Sequence, residues 1–375
     1  MQVAGNPLFF VKTYSTLIFK LIMRILVINP GSTSTKIAVY ENERELMRCN
    51  ISHSPEELSQ FNDILDQYDY RKQLVIDECK KRDIAMNFKA IVARGGLAKP
   101  IEGGCYEINE QMLEDNRHPM HKHACNMGCM IADAIAKTIP GCRSFIADPA
   151  VVDEMCDEAR VCGSPLIRRV SIWHALNQKA IARRYAKSVG KTYGDLNLII
   201  CHLGGGISVA AHEHGRAVDV NNCLDGEGPF SPERAGTLPA IDVIRLCFSG
   251  KYTQEELLKM IAGKGGLTAL LDTNDMRVLD KRIEDGDEHV RLIVDAMIYH
   301  VAKAMAAQAA VLKGKVDAII LTGGIAHDKY VVDGLKERTA WIAPVQVYPG
   351  EDELLALAQN AHDAMTGKVE AKVYA

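Results

Sequence analysis

Residues 198–209 run an apolar stretch into His202 and Leu203, then into Gly204, Gly205 and Gly206, before Ile207 begins a second apolar stretch. A strand, a turn stripped of side chains and a returning strand leave peptide N–H groups free to close on an anion such as a polyphosphate. Taken alone, a glycine hairpin is also an ordinary way to turn a chain. Its weight comes from a second copy. Residues 25–40 repeat the order of apolar strand, polar residue, small-residue turn and strand, with Asn29 where the other copy has His202. With one residue of gap, residues 37–44 align with residues 209–216. Two such hairpins predict a duplicated domain, a phosphate loop in each half, and a nucleotide held between two lobes.

Other residues could join that chemistry. Gly323 and Gly324 follow an apolar run and lead towards a helical segment, a turn that suits an anion or the flat approach of a purine and that reads equally as an ordinary strand-to-helix turn. Arg94 and Arg234 lie in glycine-containing loops, where a guanidinium can grip a carboxylate or phosphate with two hydrogen bonds; each alone reads more readily as a surface arginine. Asp148 ends an apolar strand, the edge where open α/β sheets collect ligands, and Asp148–Pro149 also reads as a helix cap. His174 follows Trp173 at a helix start and could cap, pack or react. The run His118, His121, His123, Cys125 and Cys129 has no structural-zinc spacing and reads as a loop entering a helix. Residues 263–266 place glycine after Lys264, which excludes the P-loop pattern.

The elements that must position these groups follow from periodicity and end signals. Ser54, Pro55 and Glu57 form a helix start, opening a helix over 55–68, with a second over 71–82. Strands are expected at 89–93, 143–147, 215–220 and 316–321, and helices at 124–137, 171–187, 253–262 and 290–312, the last buried around most of its circumference. Residues 221–239 form a long glycine- and proline-rich loop holding Asp225, Glu227, Glu233 and Arg234, and such length inside a domain points to function. A final helix over 351–365 is expected to return to the first lobe and tie the halves together.

Length and composition set the frame. A chain of 375 residues can build two cores, and 47% apolar with 25% charged residues is globular composition. A net charge of -4 without a basic face excludes a nucleic-acid partner. Eleven scattered cysteines, none in a Cys-x-x-Cys pair, suit reduced thiols in a cytoplasm. Residues 16–28 imitate a signal or membrane segment, but Lys20 and Arg24 interrupt them, so no membrane partner is expected. Residues 1–22 read as an extension before Met23, either an upstream misreading of the start or a loose tail outside the fold.

In order, Asn29-Pro-Gly-Ser-Thr-Ser-Thr-Lys36, Arg94-Gly-Gly, Asp148-Pro, His202-Leu-Gly-Gly-Gly-Ile-Ser208, Pro232-Glu-Arg-Ala-Gly236, Asp275-Met-Arg277 and Thr322-Gly-Gly-Ile-Ala-His-Asp328 give the chain its resemblance to the acetokinase family, from residue 23 to about 365. That resemblance implies an α/β fold of two duplicated ribonuclease H-like (actin-like ATPase) domains with a nucleotide cleft between them. The lobes would be 23–170, with 351–375 packing back on it, and 171–350, which binds nucleotide. It implies reversible transfer of phosphate from ATP, with Mg²⁺, to a small-molecule carboxylate such as butyrate or a branched analogue, giving an acyl phosphate and ADP. A cytoplasmic homodimer or larger assembly is implied as well.

By the same resemblance, Asn29, Ser32, Thr33 and Lys36 would serve nucleotide phosphate, and Asn29 also the metal. Arg94 and Arg234 would flank the transferring phosphoryl group, Asp148 would be the essential, metal-linked aspartate, and His174 would act in the transition state. His202, Leu203, Gly204, Gly205 and Gly206 would form the second phosphate loop. Asp275, Met276 and Arg277, with Gly323, Gly324, Ile325, Ala326, His327 and Asp328, would hold the nucleoside. Glu353 is the implied metal-linked glutamate, with Glu351 or Asp352 as alternatives. The chain departs from the acetate kinase pattern at His174-Ala-Leu-Asn-Gln178, which lacks a second histidine, and at Asp225-Gly-Glu-Gly-Pro before Arg234. Fewer bulky groups there suggest room for a longer or branched acyl chain. The competing readings are an acetate or propionate kinase, or an actin- or chaperone-like ATPase; arginines in two loops suit a small anion better than the latter.

Overall fold

The computed structural model describes residues 22–375. The expectation for residues 1–22 lies outside the described residues, apart from the exposed Ile22. The first sheet contains β1 (Arg24–Pro30), β2 (Ser34–Glu41), β3 (Arg44–Ser52), β4 (Ala90–Arg94), β5 (Cys105–Glu107) and β6 (Arg143–Ala147). The second contains β7 (Asn197–Leu203), β8 (Ile207–Glu213), β9 (Arg216–Val220), β10 (Ala318–Gly323) and β11 (Val345–Pro349); β12 (Lys372–Val373) returns to the first. Strand orders are β12-β5-β6-β4-β1-β2-β3 and β11-β10-β7-β8-β9. This is the α/β architecture with two sheets that the repeated hairpins predict.

The two halves share fine detail. β1 and β2 form one hairpin, pairing Asn29 with Lys36, and β7 and β8 form the other, pairing His202 with Ser208. Each continues into a third antiparallel strand, and its register slips between Val39 and Tyr40 in one copy and between Ala211 and His212 in the other. These are aligned positions of the repeat. A bulge adds twist and re-aims the strand tip, so the same irregularity bends both hairpins alike.

β1 and β4 are buried along almost their whole length because helices cover both faces of the sheet. Met127, Ile131 and Ile135 of the helix Asn126–Ala136 share one core with Leu26, Ile28 and Ile91. Leu354, Leu357 and Ala361 of the helix Glu353–Met365 share another with Ile25, Val27 and Val92 on the opposite face. The last long helix thus packs on the first sheet. In the second half Val290, Val294, Met297, Val301 and Met305 of the helix Glu288–Val311 pack beneath Ile199, Cys201 and Leu321.

Three local expectations change. The helix expected over 55–68 is one turn, Pro55–Leu58, followed by a 3-10 turn, Ile64–Gln67. Ser54 and Glu57 do form a capping box, but Asp63 and Asp66 form a second one and so restart the chain. Asp148 caps no helix: it sits at φ +37° and the chain turns there. Residues 240–247, where no element is expected, form the helix Ala240–Cys247 directly after the long loop. No helix among the described residues is long and apolar enough to cross a membrane.

Candidate active site

The tips of both hairpins open on one cavity of about 520 Å³. Asn29, Gly31, Ser34 and Lys36 reach it from the first, and His202 with Gly204, Gly205 and Gly206 from the second. Arg94, His174, Glu233, Arg234, Gly324, Glu351 and Glu353 complete its wall.

Beneath the first loop lies a buried cation. Arg71, with no exposed surface, donates through Nη1 to the carbonyls of Gly31 (2.8 Å) and Ser34 (3.2 Å), and through Nη2 to that of Ser32 (3.0 Å). Its remaining partners are the Thr35 hydroxyl and the Gln67 amide oxygen, so no carboxylate is among them. Burial lowers its pKa to about 10, which still leaves it charged at neutral pH. Since a trans peptide points its C=O and N–H in opposite directions, carbonyls drawn to Arg71 turn the N–H groups of Ser32 and Thr33 away from it. By sequence pattern Arg71 is no more than the first residue of a helix. Nothing in the local sequence marks a partner some forty residues earlier.

Three carboxylates, Glu233, Glu351 and Glu353, share the cavity wall with its cations. Asn29 Nδ2 donates to Glu353 Oε2 at 2.6 Å, and Arg94 Nη1 lies 3.3 Å from the same oxygen. Burial pushes the Glu353 carboxyl up, but Arg94 and Asn29 together bring it below the usual range. Burial and the charge of Glu353 raise its neighbour Glu351 instead. Asp352 points elsewhere, capping the last helix and pairing with Arg48 at 2.9 Å. Of the three alternatives near the C-terminus, only Glu351 and Glu353 face the cavity.

His174 and His202 stack with ring centres 3.8 Å apart and planes 6° apart. His202 Nδ1 meets Asn177 Oδ1 at 2.8 Å, and its Nε2 stands 3.6 Å from Glu351. Burial, reinforced by Arg94 and Arg234, lowers the His202 pKa to about 4. Burial, then His202 and both arginines, hold His174 well below its ordinary value. Both rings are neutral at pH 7. Arg234 donates from Nη1 to the Cys223 carbonyl at 2.6 Å, and its guanidinium lies over Gly206 so closely that a Cβ there would overlap it. Gly323, at φ +90°, is held by a similar approach to the Leu203 carbonyl.

Several expected residues stand apart. Ser32 and Thr33 are at the loop tip but do not line the cavity. Asp148 is buried, and its oxygens are taken by the Gly104 N–H (2.8 Å) and by Arg183 (2.9 Å); with both engaged outside the cavity, the structure does not bring it to a metal there. Leu203, Met276, Ile325 and Ala326 are core side chains, leaving only their backbones for a ligand. Asp275 and Arg277 pair with each other at 2.6 Å, the arginine side chain being 90% exposed. His327 is exposed, and Asp328 caps the helix Lys329–Thr339. Of the nucleoside set only Gly324 reaches the cavity wall. The cluster at 118–129 runs into the helix as expected, with His123 Nδ1 3.0 Å from Cys125 Sγ. Among the described residues no group of three or more His, Cys, Asp and Glu could hold a metal by itself.

The Acetokinase family pattern matches residues 158–346. A probable butyrate kinase of Bacteroides thetaiotaomicron is 57% identical over 352 residues, covering 94% of this chain and 100% of that protein. Butyrate kinase 2 of Clostridium acetobutylicum is 50% identical over 353 residues, covering 94% and 99%. The crystal structure of Porphyromonas gingivalis acetate kinase superposes with a TM-score of 0.74 at 18% identity, over 92% of this chain and 99% of that one. The last likeness is one of fold.

Proposed function

Since the chain belongs to the acetokinase family, we propose that it transfers the γ-phosphoryl group of ATP reversibly to the carboxylate of butyrate or a branched short-chain acid. ATP and ADP use and a carboxyl acceptor go with the family. The finer choice of acyl chain is supported by the names of the relatives at 50% and 57% identity. The observation that carries the mechanism is one cavity holding both glycine hairpins, two arginines and a pair of neutral histidines.

A carboxylate is already ionised at neutral pH, so attack needs no general base. One carboxylate oxygen forms a bond to the γ-phosphorus as the bond to the β–γ bridging oxygen breaks, and ADP leaves with that electron pair. The obstacle is the meeting of two anions, and catalysis comes from alignment and charge cancellation. Arg94 and Arg234 supply fixed positive charge, Lys36 a third cation, and the loop N–H groups the phosphate cradle.

Mg²⁺ fits the donor set. The Asn29 carbonyl oxygen, Glu351 and Glu353 are hard oxygen donors on one wall, and this cation is commonly held by one or two carboxylates together with substrate phosphates. When bound it would neutralise part of the triphosphate charge. Both oxygens of Asp148 are engaged elsewhere, so its place in this reading is to orient Arg183 and the Gly104 backbone.

The reading includes a cytoplasmic homodimer or larger assembly. In support, the cysteines are unpaired, and the helices Ala240–Cys247 and Gln254–Ile261 bury no residue while exposing Ile241, Ile244 and Leu258, with Phe248 exposed just after the first. Trapping the acyl phosphate as a hydroxamate, with ATP, Mg²⁺ and straight or branched acids from acetate to hexanoate, tests the function. Butyrate or isobutyrate is expected to turn over fastest, and no hydroxamate with any acid would refute it.

A further inference from the structure

A chain of hydrogen bonds leads away from His174 into the protein, and one backbone carbonyl sets its direction. Gln178 Nε2 lies 3.1 Å from the Ser208 carbonyl oxygen and 2.8 Å from Ser208 Oγ. A carbonyl can only accept, so the amide nitrogen of Gln178, and not its oxygen, must face Ser208. Gln178 Oε1 therefore faces His212 Nε2 at 2.9 Å, and that nitrogen must carry the proton. The bare Nδ1 of His212 accepts from the Tyr193 hydroxyl at 2.6 Å.

In the other direction the lone pairs of Ser208 Oγ are filled by Gln178 Nε2 and the His174 backbone N–H, the latter at 3.5 Å. Its own proton is then left for His174 Nδ1 at 2.8 Å. Cys223 Sγ stands 3.9 Å from the same nitrogen, and burial keeps that thiol protonated, so its S–H is available to an acceptor there while its sulfur takes the Arg234 Nη1 donor at 3.5 Å. Gln178, Ser208 and His212 have no exposed surface, so water does not compete.

We propose that Ser208, Gln178, His212 and Tyr193 are positioning residues that lock His174 in the tautomer with its proton on Nε2, a neutral donor facing the cavity it shares with Arg94 and Arg234. Burial supports each state along the way: it holds His212 and His174 well below their ordinary values and Tyr193 well above its own. A neutral ring can donate to an oxygen gaining charge without adding to the three cations, Lys36, Arg94 and Arg234, of a site that must also release its product. Only this use of the donor rests on the proposed phosphoryl transfer; the tautomer does not. Gln178 stands where the acetate kinase pattern has a second histidine, and its rigid amide gives a donor and an acceptor on opposite sides.

The test is nitrogen-15 NMR of the full chain labelled at histidine, with the His174 signals assigned by their loss in His174→Gln. At pH 7 a protonated-type signal is expected at Nε2 and a bare-nitrogen signal at Nδ1. The opposite tautomer, or a doubly protonated ring, overturns the proposal. Ser208→Ala removes the donor to Nδ1: the tautomers are expected to mix and kcat to fall about tenfold, with KM for ATP changing less than about twofold. An unchanged tautomer and kcat in that variant also overturn it. Absence of acyl phosphate from the wild-type chain would refute the kinase reading while leaving the NMR result intact.

Discussion

Asn29 and Glu353 are 324 positions apart, yet Asn29 Nδ2 donates to Glu353 Oε2 at 2.6 Å. The contact exists because the helix Glu353–Met365 packs on the same strands that carry the first phosphate loop, and its first residue arrives at their ends. That oxygen also lies 3.3 Å from Arg94, so one carboxylate sets the position of an asparagine and an arginine in the same wall.

Glu353→Gln keeps the shape and removes the charge. Arg94 loses its counter-ion, and kcat is expected to fall about a hundredfold, the scale of a lost electrostatic stabiliser. If Glu353 also serves the cation, the Mg²⁺ concentration giving half-maximal rate rises in the same variant. Initial rates across a Mg²⁺ series check both, and wild-type kinetics in the variant would count against this carboxylate having either role.

Arg71→Met leaves the carbonyls of Gly31 and Ser32 without this donor, whereas that of Ser34 keeps the Gly31 N–H at 2.7 Å. Each buried acceptor left unpaired costs on the order of 1–3 kcal/mol, so the melting temperature should drop clearly. The stabilisation of the wild-type chain by added ATP should shrink as well, because both the loop and the positive charge beneath it are disturbed. Thermal melts with and without ATP decide this; an unaltered ATP shift would show that Arg71 supports the fold alone.

Gly206→Ala places a methyl group where the Arg234 guanidinium lies. Either residue's loss displaces the same charge. Gly206→Ala and Arg234→Ala are each expected to lower kcat about a hundredfold, and the double variant little further. Additive losses in this double-mutant cycle would mean that the glycine acts independently of the arginine.

Burial lowers His53, His123 and His202 to about 4, and His174 and His212 well below their ordinary value. Unfolded, these imidazoles take up protons near the ordinary value of about 6.5. Their folded forms refuse those protons, so the stabilisation is complete above about 6.5 and is lost progressively as pH falls towards about 4 and lower. Melting temperature should therefore decline from pH 7 to pH 5, with net proton uptake on unfolding at pH 5.5. Calorimetry in buffers of different ionisation enthalpy measures that uptake, and His212→Gln should reduce it.

The repeated hairpins, the glycine turns, the Ser54 cap and the strand at Arg143–Ala147 were legible in the residues because each depends on short-range chemistry: side-chain period, turn geometry and local hydrogen bonding. The order of motifs carried the family, since order survives without any knowledge of distance. What tertiary structure alone decided is which side chains share space. Asp148 ends its strand as expected, yet Arg183, from a helix 35 residues on, claims its carboxylate. Ile325 and Ala326 sit within a motif but turn into the core, and Arg71 serves a loop 40 residues before it. A buried charge takes whichever partner the packing of distant segments brings within about 3 Å, and no local pattern encodes that choice.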